Sequence, residues 1–230
     1  MEECNSFSLS ISDLMASLML FFMFISISFM IYVEEENKII KNIAIVYETS
    51  KINLNKLLHK EFDKDLKKWN AEITENNIFR FYIPFETGKS EIPKKFKKIL
   101  DKFFPRYIKL VTNSKIVNMI KSINIEGHTS NIWQSAKNEK ERYLNNLELS
   151  QERAKNVLIH CYDINNSIIV NNLKWLEKKF KANGMAYSHP VLKNNTIDWN
   201  KSKRVEFKIV TYSEKRIKEI LDTIKNINGD

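Results

Sequence analysis

Asp13 is the residue whose position most needs a chemical explanation. It directly precedes residues 14–33, a stretch without any charged side chain. A carboxylate costs about 2.5–3.5 kcal/mol at the centre of a bilayer and less near its edge, so a role in ion binding would explain its presence. Ser17 lies one helical turn further on and supplies a hydroxyl group. We expect Asp13 and Ser17 to bind and release a cation; the alternative is that Asp13 only extends to the membrane surface.

The surroundings of Asp13 favour contact with other membrane helices. Small, hydroxyl and aromatic residues recur at spacings of three and four along one side of the helix: Ser6, Ser10, Asp13, Ser17, Phe21, Phe24 and Ser28. Small and hydroxyl side chains let membrane helices approach closely and form hydrogen bonds between them. The ion site is therefore predicted to face partner helices.

Residues 14–33 match the thickness of a membrane, since 20 helical residues at about 1.5 Å each span about 30 Å. A cleaved signal peptide is disfavoured because no Lys or Arg precedes the stretch and no small-residue cleavage site follows it. The two bases nearest the stretch, Lys38 and Lys41, follow it, and a literal positive-inside count would leave the large domain in the cytoplasm. That count rests on two residues, so the sequence alone leaves the orientation open.

The part of the chain after the membrane stretch is strongly basic. Six of the 28 acidic residues and none of the 37 bases precede Lys38, which gives the rest of the chain a net charge of +15. Such a charge suits nucleic acid, anionic lipid or an anionic wall polymer. Four scattered histidines, no glycine-rich phosphate loop and no Cys/His spacing predict neither a metal site nor an enzyme. Cys4 and Cys161 fall on opposite sides of the membrane, so Cys161 is expected to be a buried free thiol, with a bridge between two copies as the alternative.

The remaining pattern predicts an α/β fold. An amphipathic helix carries Leu54, Leu57, Leu58, Phe62, Leu66, Trp69 and Ile73. Strands are expected at residues 78–85, 120–127 and 204–212. A helix is expected to begin at Pro93 and to kink or restart at Pro105. Further helices are expected at residues 136–161, 173–182 and 214–227. The resulting β-α-β-α-β series predicts one sheet with helices on one face.

Two groups of motifs resemble known families. Residues 12–22, SDLMASLMLFF, resemble the ion-carrying helix of flagellar stator B subunits. Residues 125–130 (IEGHTS), the N-x-x-LS-x-x-RA pattern from Asn146 to Ala154, and residues 203–207 (KRVEF) resemble the motifs of OmpA-like peptidoglycan-binding domains. Within that superfamily the chain is most similar to the membrane B subunits of Zorya anti-phage defence systems. The similarity lies in the DLM sequence at the start of the membrane helix (residues 13–15), residues 103–107 (FFPRY), the GHTS sequence of residues 127–130, and residues 183–185 (NGM).

This resemblance implies a single-pass protein of the bacterial inner membrane with a cytoplasmic N-terminus and a periplasmic C-terminal domain. It implies an ion-driven motor in which two copies of the chain lie inside five copies of a MotA/ZorA-like membrane subunit and bind peptidoglycan. The transported ion would be H⁺ or Na⁺, with no cofactor and no direct contact with nucleic acid. The implied domains are residues 1–37 (cytoplasmic tip and membrane helix), 38–77 (helical connector), 78–212 (OmpA-like domain) and 213–230 (helical tail).

The resemblance also implies which residues bind the peptidoglycan of the cell wall. Arg153 would pair with a carboxylate of the diaminopimelate peptide, which suits a guanidinium group. Asn146 and Leu149 would line the same pocket, with Thr129 at its rim. Ser130 stands where the family has an Asp that holds the ligand's ammonium group, which removes one ion pair. The alternatives are a flagellar-type stator B subunit, a wall anchor that conducts no ions, and a membrane-tethered nucleic-acid binder.

Overall fold

The computed structural model describes the backbone of residues 2–217 and the side chains of residues 13–217, except residues 84, 115, 213 and 216. The chain divides into two units, Met1–Val46 and Tyr47–Asp230. The helices are α1 (Glu2–Trp69), α2 (Lys94–Val111), a 3-10 turn (Val117–Met119), α3 (Glu139–Asp163), α4 (Ser167–Asn171), α5 (Leu173–Lys179) and α6 (Trp199–Ser202). The strands are β1 (Ala71–Ile73), β2 (Ile78–Phe81), β3 (Ile120–Gly127), β4 (Phe180–Gly184), β5 (Leu192–Lys193), β6 (Thr196–Ile197) and β7 (Val205–Thr211).

The first unit is helical and apolar. In the described part of the chain, α1 is the helix long and apolar enough to cross a membrane, and its most apolar window has a mean hydropathy of 2.4. Every side chain from residue 13 to residue 42 is exposed in the single chain, including Phe21, Phe24 and Phe29. A row of exposed apolar side chains of this length suits lipid or other membrane helices rather than water.

The end of α1 belongs to the core of the second unit. Leu58 and Phe62 are fully buried, and Trp69 is nearly so. Arg106 of α2 fixes this end of the helix, because its Nε donates to Glu61 Oε1 at 2.8 Å and its Nη1 donates to Asp65 Oδ2 at 2.7 Å. The same guanidinium group lies 4.8 Å from the centroid of the Phe62 ring. The amphipathic end of α1, from Leu58 to Trp69, therefore packs its apolar side on the rest of the domain.

The five strands of the main sheet lie in the order β1-β2-β7-β3-β4. β3 and β4 are parallel, and the other neighbours are antiparallel. β7, the last strand among the described residues, lies between β2 and β3 and brings Glu206 opposite both Arg80 and Glu126. The 3-10 turn, α4, α5 and the small β5–β6 hairpin connect these elements.

The two faces of the sheet differ in chemistry because side chains alternate along each strand. One face carries Phe79, Phe81, Ile123, Ile125 and Phe207, all fully buried in the hydrophobic core with α2, α3 and the end of α1. The other face carries polar side chains, among them Glu126 and Glu206. The predicted α/β fold, with an apolar N-terminal helix and helices on a mixed sheet, is confirmed.

Several predicted boundaries are wrong. α1 ends at Trp69, so Ile73 lies in β1, where it pairs with Phe79. Residues 180–182 were predicted as the end of a helix but form the start of β4, because the edge of β3 offers a parallel hydrogen-bonding partner. α2 passes through Pro105 without restarting. The predicted terminal helix at 214–227 and the tail 213–230 lie almost entirely outside the described residues.

Candidate functional site

The helix α3 presents the predicted wall-binding residues on one side. Asn138 caps the helix, since its side chain accepts a hydrogen bond from the amide of Glu141. Asn146, Leu149 and Arg153 follow at spacings of three and four, which places them on one face of a helix. All three are buried. The local sequence thus sets both the start of α3 and the direction of the site residues.

Two glycines let α3 lie directly on the sheet. A Cβ atom at Gly127 of β3 would lie 2.1 Å from the carbonyl oxygen of Ser150, and one at Gly184 of β4 would lie 2.6 Å from the amide nitrogen of Gln151. The Gln151 side chain accepts from Gly184 N at 2.6 Å and donates to the Ala182 carbonyl at 3.0 Å. α3 is therefore held at a fixed position against the ends of β3 and β4.

The structure brings all five predicted wall-binding residues to one cavity of about 490 Å³. Thr129 and Ser130 come from the loop after β3, and Asn146, Leu149 and Arg153 come from α3. Further side chains and backbone from three segments complete the lining: Phe85, Thr87, Gly88, Ile132, Trp133, Gln134, Ser135 and Lys203. Because residues from distant parts of the chain converge here, this cavity is the candidate binding site.

Arg153 is a buried cation without a carboxylate partner among the described residues. Only 4% of its surface is exposed. Its Nε donates to the Lys89 carbonyl at 3.0 Å, its Nη2 donates to the Glu86 carbonyl at 3.1 Å, and its guanidinium group lies 4.5 Å from the centroid of the Phe85 ring. Burial lowers the pKa of Arg153 to about 10, from the usual 12.5. The charge is therefore retained at neutral pH at a cost in stability.

The rest of the lining favours an anionic group. Among the described residues that line the cavity, the charged side chains are Arg153 and Lys203. The hydroxyl of Thr129 is buried and has no hydrogen-bond partner in the described part of the chain. An oxygen-bearing anion would satisfy both kinds of group, because its oxygens accept hydrogen bonds from hydroxyl and guanidinium donors.

A buried polar cluster lies one residue away from the cavity wall. Glu126 and His128 flank Gly127 at the end of β3, and Glu206 lies opposite on β7. Burial lowers the pKa of His128 and raises that of Glu126. Burial also disfavours the charge of Glu206, but His128 and Arg204 more than offset this and hold its pKa well below the usual range. Chain neighbours of this cluster, Thr129 and Lys203, line the cavity.

The predicted ion-binding residues lie on the other unit of the chain. Asp13 is exposed on α1. The hydroxyl of Ser17 donates to the carbonyl of Leu14 at 2.8 Å, so in the single chain it is bonded to its own helix. Its lone pairs stay available to a cation or a water molecule. Of the serines on the predicted seam, Ser6 and Ser10 have side chains outside the described residues.

Sequence reasoning missed the contributions of two loops to the cavity. Phe85 was predicted as the end of a strand over residues 78–85, but β2 ends at Phe81 and Phe85 lies in a loop. Residues 86–88 and 132–135 have no periodic pattern, so nothing in their spacing indicated a common site. The aromatic residues Phe85 and Trp133 were the available signal, since aromatic side chains often line ligand sites. The Glu126–His128–Glu206 cluster was also missed, because Glu206 is far from the other two in sequence and reaches them only through the strand order.

The chain is similar to known proteins over most of its length. Residues 84–204 match the OmpA family. Over 225 residues the chain is 43% identical to the Zorya protein ZorB of Escherichia coli strain Crooks, covering 96% of this chain and 94% of that protein. Among solved structures, a MotB-like protein from Desulfovibrio vulgaris matches with 19% identity and a TM-score of 0.46, covering 75% of this chain and 99% of that chain. The cell wall anchor of the type VI secretion system from Pseudomonas aeruginosa matches with 16% identity and a TM-score of 0.43, covering 67% and 96%. The chain belongs to the OmpA family and, over nearly its whole length, to the family of the Zorya protein ZorB.

Proposed function

We propose that this protein is the B subunit of an ion-driven inner-membrane motor in a Zorya anti-phage defence system. Asp13 and Ser17 bind the transported ion, and the domain of residues 78–212 binds peptidoglycan. The observation that carries the proposal is the 43% identity to a Zorya ZorB protein, which extends over both the membrane helix and the OmpA-family domain. A shared OmpA-family domain alone would explain the similarity over residues 84–204 but not over the membrane helix.

The wall-binding half of the proposal is supported by the chemistry of the cavity. Arg153 is buried, and among the described residues its hydrogen bonds go to backbone carbonyls, while Lys203 adds a second positive charge to the lining. A carboxylate of the peptidoglycan peptide would pair with the free edge of the Arg153 guanidinium group. Such a charge-assisted contact is stronger than a neutral hydrogen bond and offsets the cost of the buried charge. Thr129 and Asn146 supply polar groups at the same wall, and Leu149 an apolar one.

The ion-binding half is supported by the position of Asp13 next to a long exposed apolar helix surface. A second copy of the chain and five copies of a MotA/ZorA-like subunit would cover that surface and form the ion path around Asp13. A unit charge that crosses about 100 mV gains about 2.3 kcal/mol, which suffices to drive a conformational step. The proposed topology is a cytoplasmic N-terminus and a periplasmic domain that grips the wall while the surrounding ring turns.

The test replaces Asp13 by Asn in the complete defence system. Asp13→Asn keeps the size and polarity of the side chain but removes its charge, so we expect loss of phage protection with normal insertion of the protein. Glu35→Gln is the matched control, because it removes a carboxylate of the same helix beyond the uncharged stretch. Protection is measured as plaque formation, and membrane levels by immunoblotting.

The outcomes separate the motor from its rival, a wall anchor that conducts no ions. Full protection by Asp13→Asn would contradict ion-driven action and leave the anchor. A reporter fused after Asp230 tests the topology independently, and an active cytoplasmic reporter would contradict the periplasmic assignment.

A further inference from the structure

Three side chains that the proposed function does not use converge on the polar face of the sheet. Glu126 and Glu206 are direct partners across β3 and β7, and His128 follows at the end of β3. Their side chains are 9%, 4% and 2% exposed, respectively. Ionisable groups this deeply buried need partners for their charges and hydrogen bonds.

The geometry of the three does not match hydrogen bonding. His128 Nε2 lies 3.9 Å from Glu126 Oε2 and 3.6 Å from Glu206 Oε2, which is longer than hydrogen bonds between such atoms. Both ring nitrogens of His128 are buried and have no hydrogen-bond partner among the described residues. A histidine in this state loses the hydration of both nitrogens, and the nearby charge of Glu206 compensates for that loss only in part.

The distances of His128 from the two carboxylates come close to those between ligands of one metal ion. Two ligand atoms bound to one ion at about 2.1 Å lie about 3.0–3.6 Å apart over ordinary coordination angles. One atom from each of the three side chains lies within 4.8 Å of the others, so side-chain shifts of about 1 Å would bring all three to one ion. Imidazole nitrogen together with carboxylate oxygen is a donor set that suits divalent transition metals.

Two arginines contact one oxygen of Glu206 and leave the other oxygen to His128. Arg80 Nε and Arg204 Nε both donate to Glu206 Oε1 at 2.6 Å, so Glu206 Oε2 remains directed at His128. Arg80 also pairs with Glu72 at 3.2 Å. Lys208 adds a third cation, whose charge acts to lower the pKa of Glu126, so the three carboxylates and the three cations balance before an ion binds.

We propose that Glu126, His128 and Glu206 bind one divalent first-row transition-metal ion of the Zn²⁺ type. The ion joins the end of β3 to β7. Thr129 follows His128 and Lys203 precedes Arg204, so the ion also fixes two segments of the cavity wall. This site lies outside the proposed ion path and outside the peptidoglycan contacts, and its failure would leave both of those proposals standing.

The test uses the full-length chain in detergent, carrying no histidine tag. The protein is stripped with a chelator, titrated with Zn²⁺ by calorimetry and analysed for bound metal by mass spectrometry. We expect one equivalent of Zn²⁺ per chain, and loading with Co²⁺ in its place should give the visible absorption of nitrogen and oxygen coordination. His128→Gln and Glu126→Gln should each weaken binding by at least about tenfold, since each removes a ligand of a three-residue site.

His59→Gln is the matched control, because His59 is an exposed histidine paired with Asp63 on the surface of α1. Glu126→Gln is expected to remain folded, because glutamine keeps the size of the side chain and its capacity to form hydrogen bonds. A loss of Zn²⁺ affinity of about tenfold or more in both site variants, with unchanged affinity in the control, supports the proposal. Failure of the wild-type chain to bind one equivalent, or a smaller loss of affinity in either folded site variant, overturns it.

Discussion

Replacing Arg153 by Met should separate wall binding from stability. A pKa of about 10 in place of 12.5 means that burial disfavours the Arg153 charge by about 3 kcal/mol. The variant removes that penalty. It also removes the hydrogen bonds to the Glu86 and Lys89 carbonyls, which are worth about 1.5 kcal/mol each for a charged donor. Met keeps an apolar side chain beside Phe85. The two effects nearly cancel, and the free energy of unfolding should change by less than about 2 kcal/mol.

Binding should respond very differently. Removing one partner of a buried charge pair typically costs about 2–5 kcal/mol, which corresponds to a loss of affinity of about 30-fold to several thousand-fold. The assay is co-sedimentation of the full-length protein with purified peptidoglycan sacculi, in parallel with urea unfolding. Lys155→Met is the matched control, because Lys155 is an exposed base on the same helix and does not line the cavity.

Two results would refute this reasoning. Sedimentation of Arg153→Met at the level of the control would mean that Arg153 does not contact the wall polymer. A loss of unfolding free energy above about 4 kcal/mol would mean that the carbonyl contacts outweigh the buried charge, so that Arg153 is mainly structural. Arg153→Lys adds a further check: it keeps the charge but lacks the planar fork, and should restore only part of the binding.

The remaining predictions concern stability. Gly184→Ala should lower the free energy of unfolding by about 1–3 kcal/mol, because the added methyl group meets backbone atoms of α3. Gly88→Ala should cost about 1 kcal/mol, since the methyl group meets open space and only the φ of 73° is strained. Tyr107→Phe should raise it by about 1 kcal/mol, because the buried Tyr107 hydroxyl has no hydrogen-bond partner among the described residues. Tyr82→Phe should lower it by a similar amount, about 1 kcal/mol, because the Tyr82 hydroxyl donates to Glu72 at 2.6 Å. Urea unfolding measures all four. A smaller loss for Gly184→Ala than for Gly88→Ala, or changes of the same sign for Tyr107→Phe and Tyr82→Phe, would contradict the assignment.

The elements that sequence reasoning predicted well have strong local signals. β3 has the predicted bounds because isoleucines recur along it and Gly127 ends it. α2 starts directly after Pro93 because proline is favoured at the beginning of a helix. The motif residues on α3 converge because their spacing of three and four fixes a common helix face.

The elements that failed depend on contacts between distant residues. Residues 180–184 continue the apolar pattern of the preceding helix, and only pairing with β3 converts them into a strand. β1 is three residues long, too short for a periodic signal. The approach of Glu206 to His128 requires β7 to lie between β2 and β3, which no local pattern reveals. Long-range pairing is therefore the information that the sequence pattern lacked.

The glycine contacts of α3 also bear on how force passes through the domain. Gly127 and Gly184 bring the helix backbone onto two adjacent parallel strands, with no side chain between them to deform. If the cavity binds the wall polymer as proposed, a pull on that polymer is borne by main-chain atoms of β3 and β4, because α3 lies directly on them. The domain is then expected to release the polymer before its own sheet distorts.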